Sequence, residues 1–180
     1  TRRSSDLVEL AAHGIAMQVT SIGFMVHVGL SNAATVRTGR FAGAGEWGDL
    51  RRGAGVAIAI SAAVGVAQIA LYLSFAEPIV GLFIDRTSAE APLILAFGGV
   101  LLIYAAAFQM MDAAQVLALG LLRGVQDTAV PMGIAAVAYW LIGVPVAWYL
   151  AFRAGWGGTG LWMGLVIGLA CAASALMWRF

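Results

Sequence analysis

Asp112 is the residue whose position most demands a chemical role. It stands inside a long apolar run, where an unpaired charge costs at least about 2.5 kcal/mol on membrane-insertion scales. Gln109 and Gln115 lie three positions to either side, and at 100° per residue the three share one helical arc about 120° wide. Such an arc should face a water-filled cavity or another helix. A carboxylate held there can exchange a proton or a cation as its surroundings change. The same three residues could instead form a structural hydrogen-bond network that holds a bend, and both readings stand at this point.

A second polar stripe runs through an earlier apolar segment. His13, Thr20, His27 and Ser31 follow at intervals of seven, seven and four, which keeps them near one helical face, with Met17 and Phe24 between them. A lining of hydroxyl, imidazole, aromatic ring and thioether suits contact with a lipophilic cation. It suits interhelical hydrogen bonding equally well, and His27 is divided between cavity or proton handling and structure. The two histidines have no acidic or cysteine partner nearby, so a zinc site is not indicated. Tyr139 and Trp140 precede Pro145 in a further apolar run; they read as core packing or, for Tyr139, as a cavity contact. Pro145 lacks an amide donor and clashes with the carbonyl of Leu141, which predicts a kink. Trp148 and Tyr149 read as a membrane-interface belt.

These residues need helices to position them. The chain has 180 residues, of which 62% are hydrophobic, with 10 Lys plus Arg against 9 Asp plus Glu. That is too apolar for a soluble domain, and a net charge of +1 with no basic stripe excludes a nucleic-acid partner. Five stretches, at about residues 10–36, 54–76, 91–122, 129–152 and 159–178, are long enough to cross an apolar layer of about 30 Å as helices. The third, about 48 Å long at 1.5 Å per residue, should tilt, bend or project. The expected fold is an all-α polytopic membrane protein. Arg37, Arg40, Arg51 and Arg52 follow the first span, Arg123 the third, and Arg179 lies at the end of the chain. The positive-inside rule then places residues 37–52 and 123 and the C-terminus in the cytoplasm, and residues 77–90, with Glu77, Asp85, Arg86 and Glu90, and 153–158 outside. Arg2 and Arg3 fall on the outer side, against the rule. Thr1 is not an initiator methionine, and the chain reads as part of something longer.

The fifth span repeats Gly160, Gly164, Gly168 and Ala172 at intervals of four, a smooth face for close helix packing. Cys171 is a packing residue. Gly39, Gly43 and Gly45 lack the lysine and strand context of a phosphate-binding loop, and no second catalytic group accompanies Asp112, so an enzyme is not expected.

The segment Phe108-Gln109-Met110-Met111-Asp112-Ala113-Ala114-Gln115, continuing through Gly120-Leu121-Leu122-Arg123-Gly124-Val125-Gln126-Asp127-Thr128-Ala129-Val130-Pro131-Met132, resembles the bacterial branch of the multidrug and toxic compound extrusion family. Ala11-Ala12-His13 and the run from Leu30 to Gly39 are similar to the second helix of that family's C-terminal lobe. The likeness extends over essentially all of the chain. It implies a bacterial inner-membrane exporter of twelve helices in two six-helix lobes, with the five spans here as the eighth to twelfth. The N-terminal lobe and the seventh helix would be the missing partners. It also implies export of small organic cations or amphipathic drugs in exchange for sodium ions or protons, with no other cofactor, and surroundings of membrane lipids. Asp112 matches the family's buried aspartate, implicated in cation coupling together with a glutamate of the seventh helix. Gln109, Gln115, His27, Thr20, Phe24 and Tyr139 are the expected cavity or substrate contacts. Two positions depart from the family pattern: Gly14 where a glutamine follows the histidine, and His27 where a proline is common. A lipid-linked oligosaccharide flippase and a non-transporting membrane assembly protein are the alternatives. The flippase would need several buried cationic residues, whereas the buried charge here is negative.

Overall fold

The computed structural model describes residues 2–85, 87–88 and 90–180, without the side chains of residues 2–7, 9 and 159. Thr1 and Arg86, and the side chains of Arg2 and Arg3, lie outside the described residues. The protein is all α-helical among the described residues, and five helices are long and apolar enough to cross a membrane. They are α1 (Arg2–Ala44), α2 (Trp47–Val80), α3 (Ala91–Gly124), α4 (Ala129–Arg153) and α5 (Gly157–Arg179). Lipid offers no partner for backbone groups, so apolar runs of this length must satisfy their amides internally.

Helices overrun the apolar stretches. Arg37 and Arg40 ride on the end of α1, and Arg51 and Arg52 on the start of α2. The turn between them is tight. Gly45 adopts φ +74, and Glu46 N–H donates to the Phe41 carbonyl at 2.9 Å, a glycine-capped helix end. α3 ends in the same way, with Asp127 N–H on the Leu122 carbonyl at 2.9 Å, but here Gln126 occupies the left-handed position at φ 64.

Two helices depart from regular geometry. α2 is kinked at Phe75 (φ −130, ψ 26), three residues before Pro78. α4 answers Pro145 by widening: Val137–Gly143 and Tyr149–Arg153 are π-helical turns on either side of the α-helical Val144–Trp148. A π turn bonds each amide one residue further back, which makes room for a proline ring that would collide with an i−4 carbonyl. The disturbance expected at Pro145 takes the form of these widened turns. α1 runs unbroken through His27.

The chain forms two compact units. The first comprises residues 1–25 and 64–110, the second residues 26–63 and 111–180. In the first, Val8, Ala12, Ala16 and Val19 of α1 pack with Tyr72 and Val80 of α2 and Ile94, Leu102 and Ala106 of α3. In the second, Ala34, Ala54, Leu117 and Leu121 form one cluster and Ala118, Leu122 and Leu176 another. Trp140, Leu141 and Trp178 remain exposed, as befits helices whose outer surface meets lipid.

Candidate functional site

In the first unit, polar side chains of α2 and α3 converge on the backbone of α1. Gln109 is fully buried, and its amide engages one rung of α1, donating to the Thr20 carbonyl at 3.3 Å and accepting from Phe24 N–H at 3.0 Å. Gln68 donates to the Gly23 carbonyl at 3.1 Å, and the Tyr72 hydroxyl to the Val19 carbonyl at 3.4 Å. Gly23 makes this approach possible, since a Cβ there would lie 2.9 Å from the Tyr72 hydroxyl and 3.3 Å from the Gln109 amide. Thr20 itself turns back onto the Ala16 and Met17 carbonyls of its own helix at 2.9 and 3.0 Å. Gln109, Thr20 and Phe24 therefore come together as a satisfied cluster that fastens α1 to its neighbours.

In the second unit, Asp112 is half-buried on α3, one turn before the buried Gln115. The Tyr139 hydroxyl, presented by the first π turn of α4, donates to Gln115 Oε1. Asp112 and Gln115, three residues apart, share one side of α3. Carboxylate, phenol and amide thus form one polar group. π turns recur at functional positions because they redirect a side chain without breaking the helix. Binding a proton or a cation at Asp112 would remove the desolvation penalty of its charge.

His27 is fully buried and shares a 3.0 Å hydrogen bond through Nδ1 with Ser61 Oγ of α2. Four residues on, Ser31 Oγ donates to the Val116 carbonyl at 2.7 Å, and Thr35 Oγ1 to the Gly120 carbonyl at 2.8 Å. α3 comes this close because Gly120 and Gly124 carry no side chain: a Cβ on Gly120 would be 2.6 Å from the Ser31 carbonyl oxygen, and one on Gly124 would be 1.8 Å from Thr38 Oγ1. The stripe on α1 thus continues as a hydroxyl-on-glycine seam. At Gly14 an added Cβ would meet nothing within 4 Å.

Gly160, Gly164 and Gly168 of α5 face α4. Added Cβ atoms there would lie 2.6 Å from Ala151 N, 2.3 Å from Ala147 Cα and 2.9 Å from Gly143 Cα.

Sequence reasoning passed over Ser61, Gln68 and Tyr72. Their spacing of seven and four along α2 is the same signal that singled out the α1 stripe. It passed over the glycine seam of α3 too, although Gly120 and Gly124 stand four apart.

The chain as a whole is similar to known proteins. A family model described as MatE matches residues 4–149. The chain is 43% identical over 173 residues to the "Probable multidrug resistance protein NorM" of Rhizobium meliloti, covering 96% of this chain and 37% of that protein. It is 40% identical over 172 residues to the multidrug resistance protein NorM of Burkholderia vietnamiensis, covering 95% and 37%. It thus spans little more than a third of the length of these relatives. In fold, it superposes on the crystal structure of the eukaryotic MATE transporter AtDTX14 with a TM-score of 0.83 and 22% identity, covering 96% of this chain and 37% of that one.

Proposed function

Because this chain belongs to the MatE family, we propose that it forms most of the C-terminal six-helix lobe of a secondary antiporter that exports cationic or amphipathic drugs in exchange for sodium ions or protons. It is a multi-pass protein of the bacterial inner membrane, in the NorM-like branch, and not an enzyme. The observation that carries the antiport reading is the placement of Asp112: a lone, half-buried carboxylate inside a membrane helix, one turn from Gln115, whose amide the Tyr139 hydroxyl engages.

In this cycle a cation reaches Asp112 from the outer side. Neutralising the carboxylate removes the cost of its burial and favours repacking of α3 against α4 at the π turn Val137–Gly143. Drug leaves outward, and the lobe resets after releasing the cation inside, as alternating access requires. The NorM proteins are named for multidrug resistance, which is why drugs are the substrates assigned, and the negative buried charge of Asp112 favours cationic ones. The turn around Gly45 and the C-terminal Arg179 face the cytoplasm in this arrangement, and residues 77–90 face outward.

Asp112→Asn keeps shape and hydrogen bonding but removes the charge. In sealed vesicles containing the full-length protein, drug flux driven by an imposed sodium or proton gradient should collapse at equal folded-protein recovery. Parental flux and cation stoichiometry in that variant would return Asp112 to a structural role.

A further inference from the structure

The kink in α2 opens a second polar place. Pro78 has no N–H, so the Ser74 carbonyl lacks the amide it would accept from in a regular helix, and the turn breaks at Phe75. Beside this break lies a cavity of about 410 Å³, built from α2 and α3 of the first unit alone. Ser74, Glu77 and Pro78 line one side, and Ala96, Gly99 and Val100 are on the other. Its volume falls within the range of small-molecule sites, about 300–1,000 Å³.

Among the described residues lining the cavity, Glu77 is the one that carries a charge. Glu77 stands in the last turn of α2, where aligned carbonyls already place roughly half a negative charge. That turn holds no basic residue, and among the described residues no ion pair engages Glu77. A carboxylate at a helix C-terminus is unfavourable by itself, and a cation relieves it. The facing wall is apolar and has room: a Cβ on Gly99 would touch only the Ala76 Cβ, at 3.9 Å. One carboxylate above an apolar wall is a poor cage for a small inorganic ion such as calcium, which takes about 6–8 oxygens. It fits a single positive charge carrying alkyl arms.

We propose that the cavity at the α2 kink binds an alkylated ammonium ion, its charge beside Glu77 and its alkyl arms on the α3 wall at Gly99 and Val100. The site shares no residue with the Asp112 group and does not depend on Asp112 being the coupling residue. On the outward orientation of residues 77–90, it is a docking point for organic cations near the external end of the lobe.

The test is equilibrium binding of labelled tetrabutylammonium to full-length protein in lipid nanodiscs, on parental and Asp112→Asn backgrounds. Glu77→Gln removes the charge and Gly99→Val fills the cavity. Each should weaken binding about three- to tenfold on both backgrounds, the scale of a partly exposed charge contact. Tetramethylammonium, lacking the arms, should bind more weakly than tetrabutylammonium. Parental binding in both cavity variants overturns the proposal, as does full displacement by sodium chloride at matched ionic strength. Loss confined to Asp112→Asn also overturns it, while leaving the antiport reading standing.

Discussion

Replacing Gly164 by alanine tests the closest approach to a neighbouring backbone in the second unit. The added methyl would sit 2.3 Å from Cα and N of Ala147 and 2.4 Å from its Cβ. Carbon atoms in ordinary contact are about 3.5–4.0 Å apart, so α5 must recede from α4 by roughly 1–1.5 Å at this level. Backbone is what it meets, and backbone cannot rotate aside. The retreat also opens the neighbouring levels, where Gly160 and Gly168 hold α5 against Ala151 and Gly143. A gap of about 0.5–1 Å already forfeits a quarter to a half of each pairwise attraction. Overpacking of this kind costs about 1–3 kcal/mol, and rigid neighbours on both sides put Gly164→Ala near the upper end, with Gly164→Leu beyond it. Against a total stability of about 5–15 kcal/mol, that is a large fraction. The assay is thermal unfolding of the full-length protein in detergent, followed by the monodisperse fraction after heating. Gly55→Ala is the control: a Cβ there meets nothing within 4 Å in the interior of α2, and it should be neutral or stabilising by up to about 1 kcal/mol. Parental unfolding of Gly164→Ala would refute the reasoning, because it would mean that α4 and α5 are not held at the distance described.

Three further outcomes follow from individual contacts. Gln126→Gly should stabilise the protein by roughly 1 kcal/mol, since Gln126 is exposed and holds φ 64 where glycine carries no steric penalty; an unchanged or lower unfolding midpoint would contradict that account. Ser61→Ala removes the hydroxyl that faces buried His27 Nδ1 and should cost about 1–3 kcal/mol, measured in the same unfolding assay, with Ser61→Thr retaining most of the stability. In the 81–90 connection, hydrogen bonds from the Thr87 hydroxyl and the Thr87 amide hold the Asp85 carboxyl below its ordinary value. A depressed folded-state value means that this contribution is present above the unfolded carboxylate value and is lost as pH falls through the folded one. Thr87→Val removes the hydroxyl and should raise the Asp85 titration midpoint seen by carboxyl-carbon NMR, whereas a fixed midpoint would exclude the hydroxyl as its cause.

The number and placement of the helices were legible because a membrane leaves the backbone so few options. Apolar length alone is enough to call for a helix, and each of the five stretches became one. Helix ends were less legible. Pro78 lies just past the apolar run that ends at Ala76, and a proline there can stop a helix or kink it. Here α2 continues to Val80 because Val80 has somewhere to pack: Gly98 of α3 lacks a side chain, and a Cβ on it would lie 2.9 Å from Val80 Cγ1. Pro145 was visible as a disturbance of α4. Its form, two π turns, and the close packing of Gly143 and Ala147 against the glycine face of α5 were visible only in the structure.

The same division runs through the polar residues. Sequence alone picked out Asp112, Gln109, Gln115 and His27, because polar side chains in apolar helices are rare and their spacing states which way each points around its own axis. It also carried the family, through the long motif from Phe108 to Met132. Periodicity carries no information about what lies opposite. Only the tertiary structure decided that Gln109 would engage a backbone rung of α1 while Gln115, six residues on, would meet the Tyr139 hydroxyl beside Asp112. The reason is physical: a buried amide must be satisfied wherever it is, and which partner satisfies it depends on the glycines and π turns of neighbouring helices, residues far away in the chain that set how near each backbone can come.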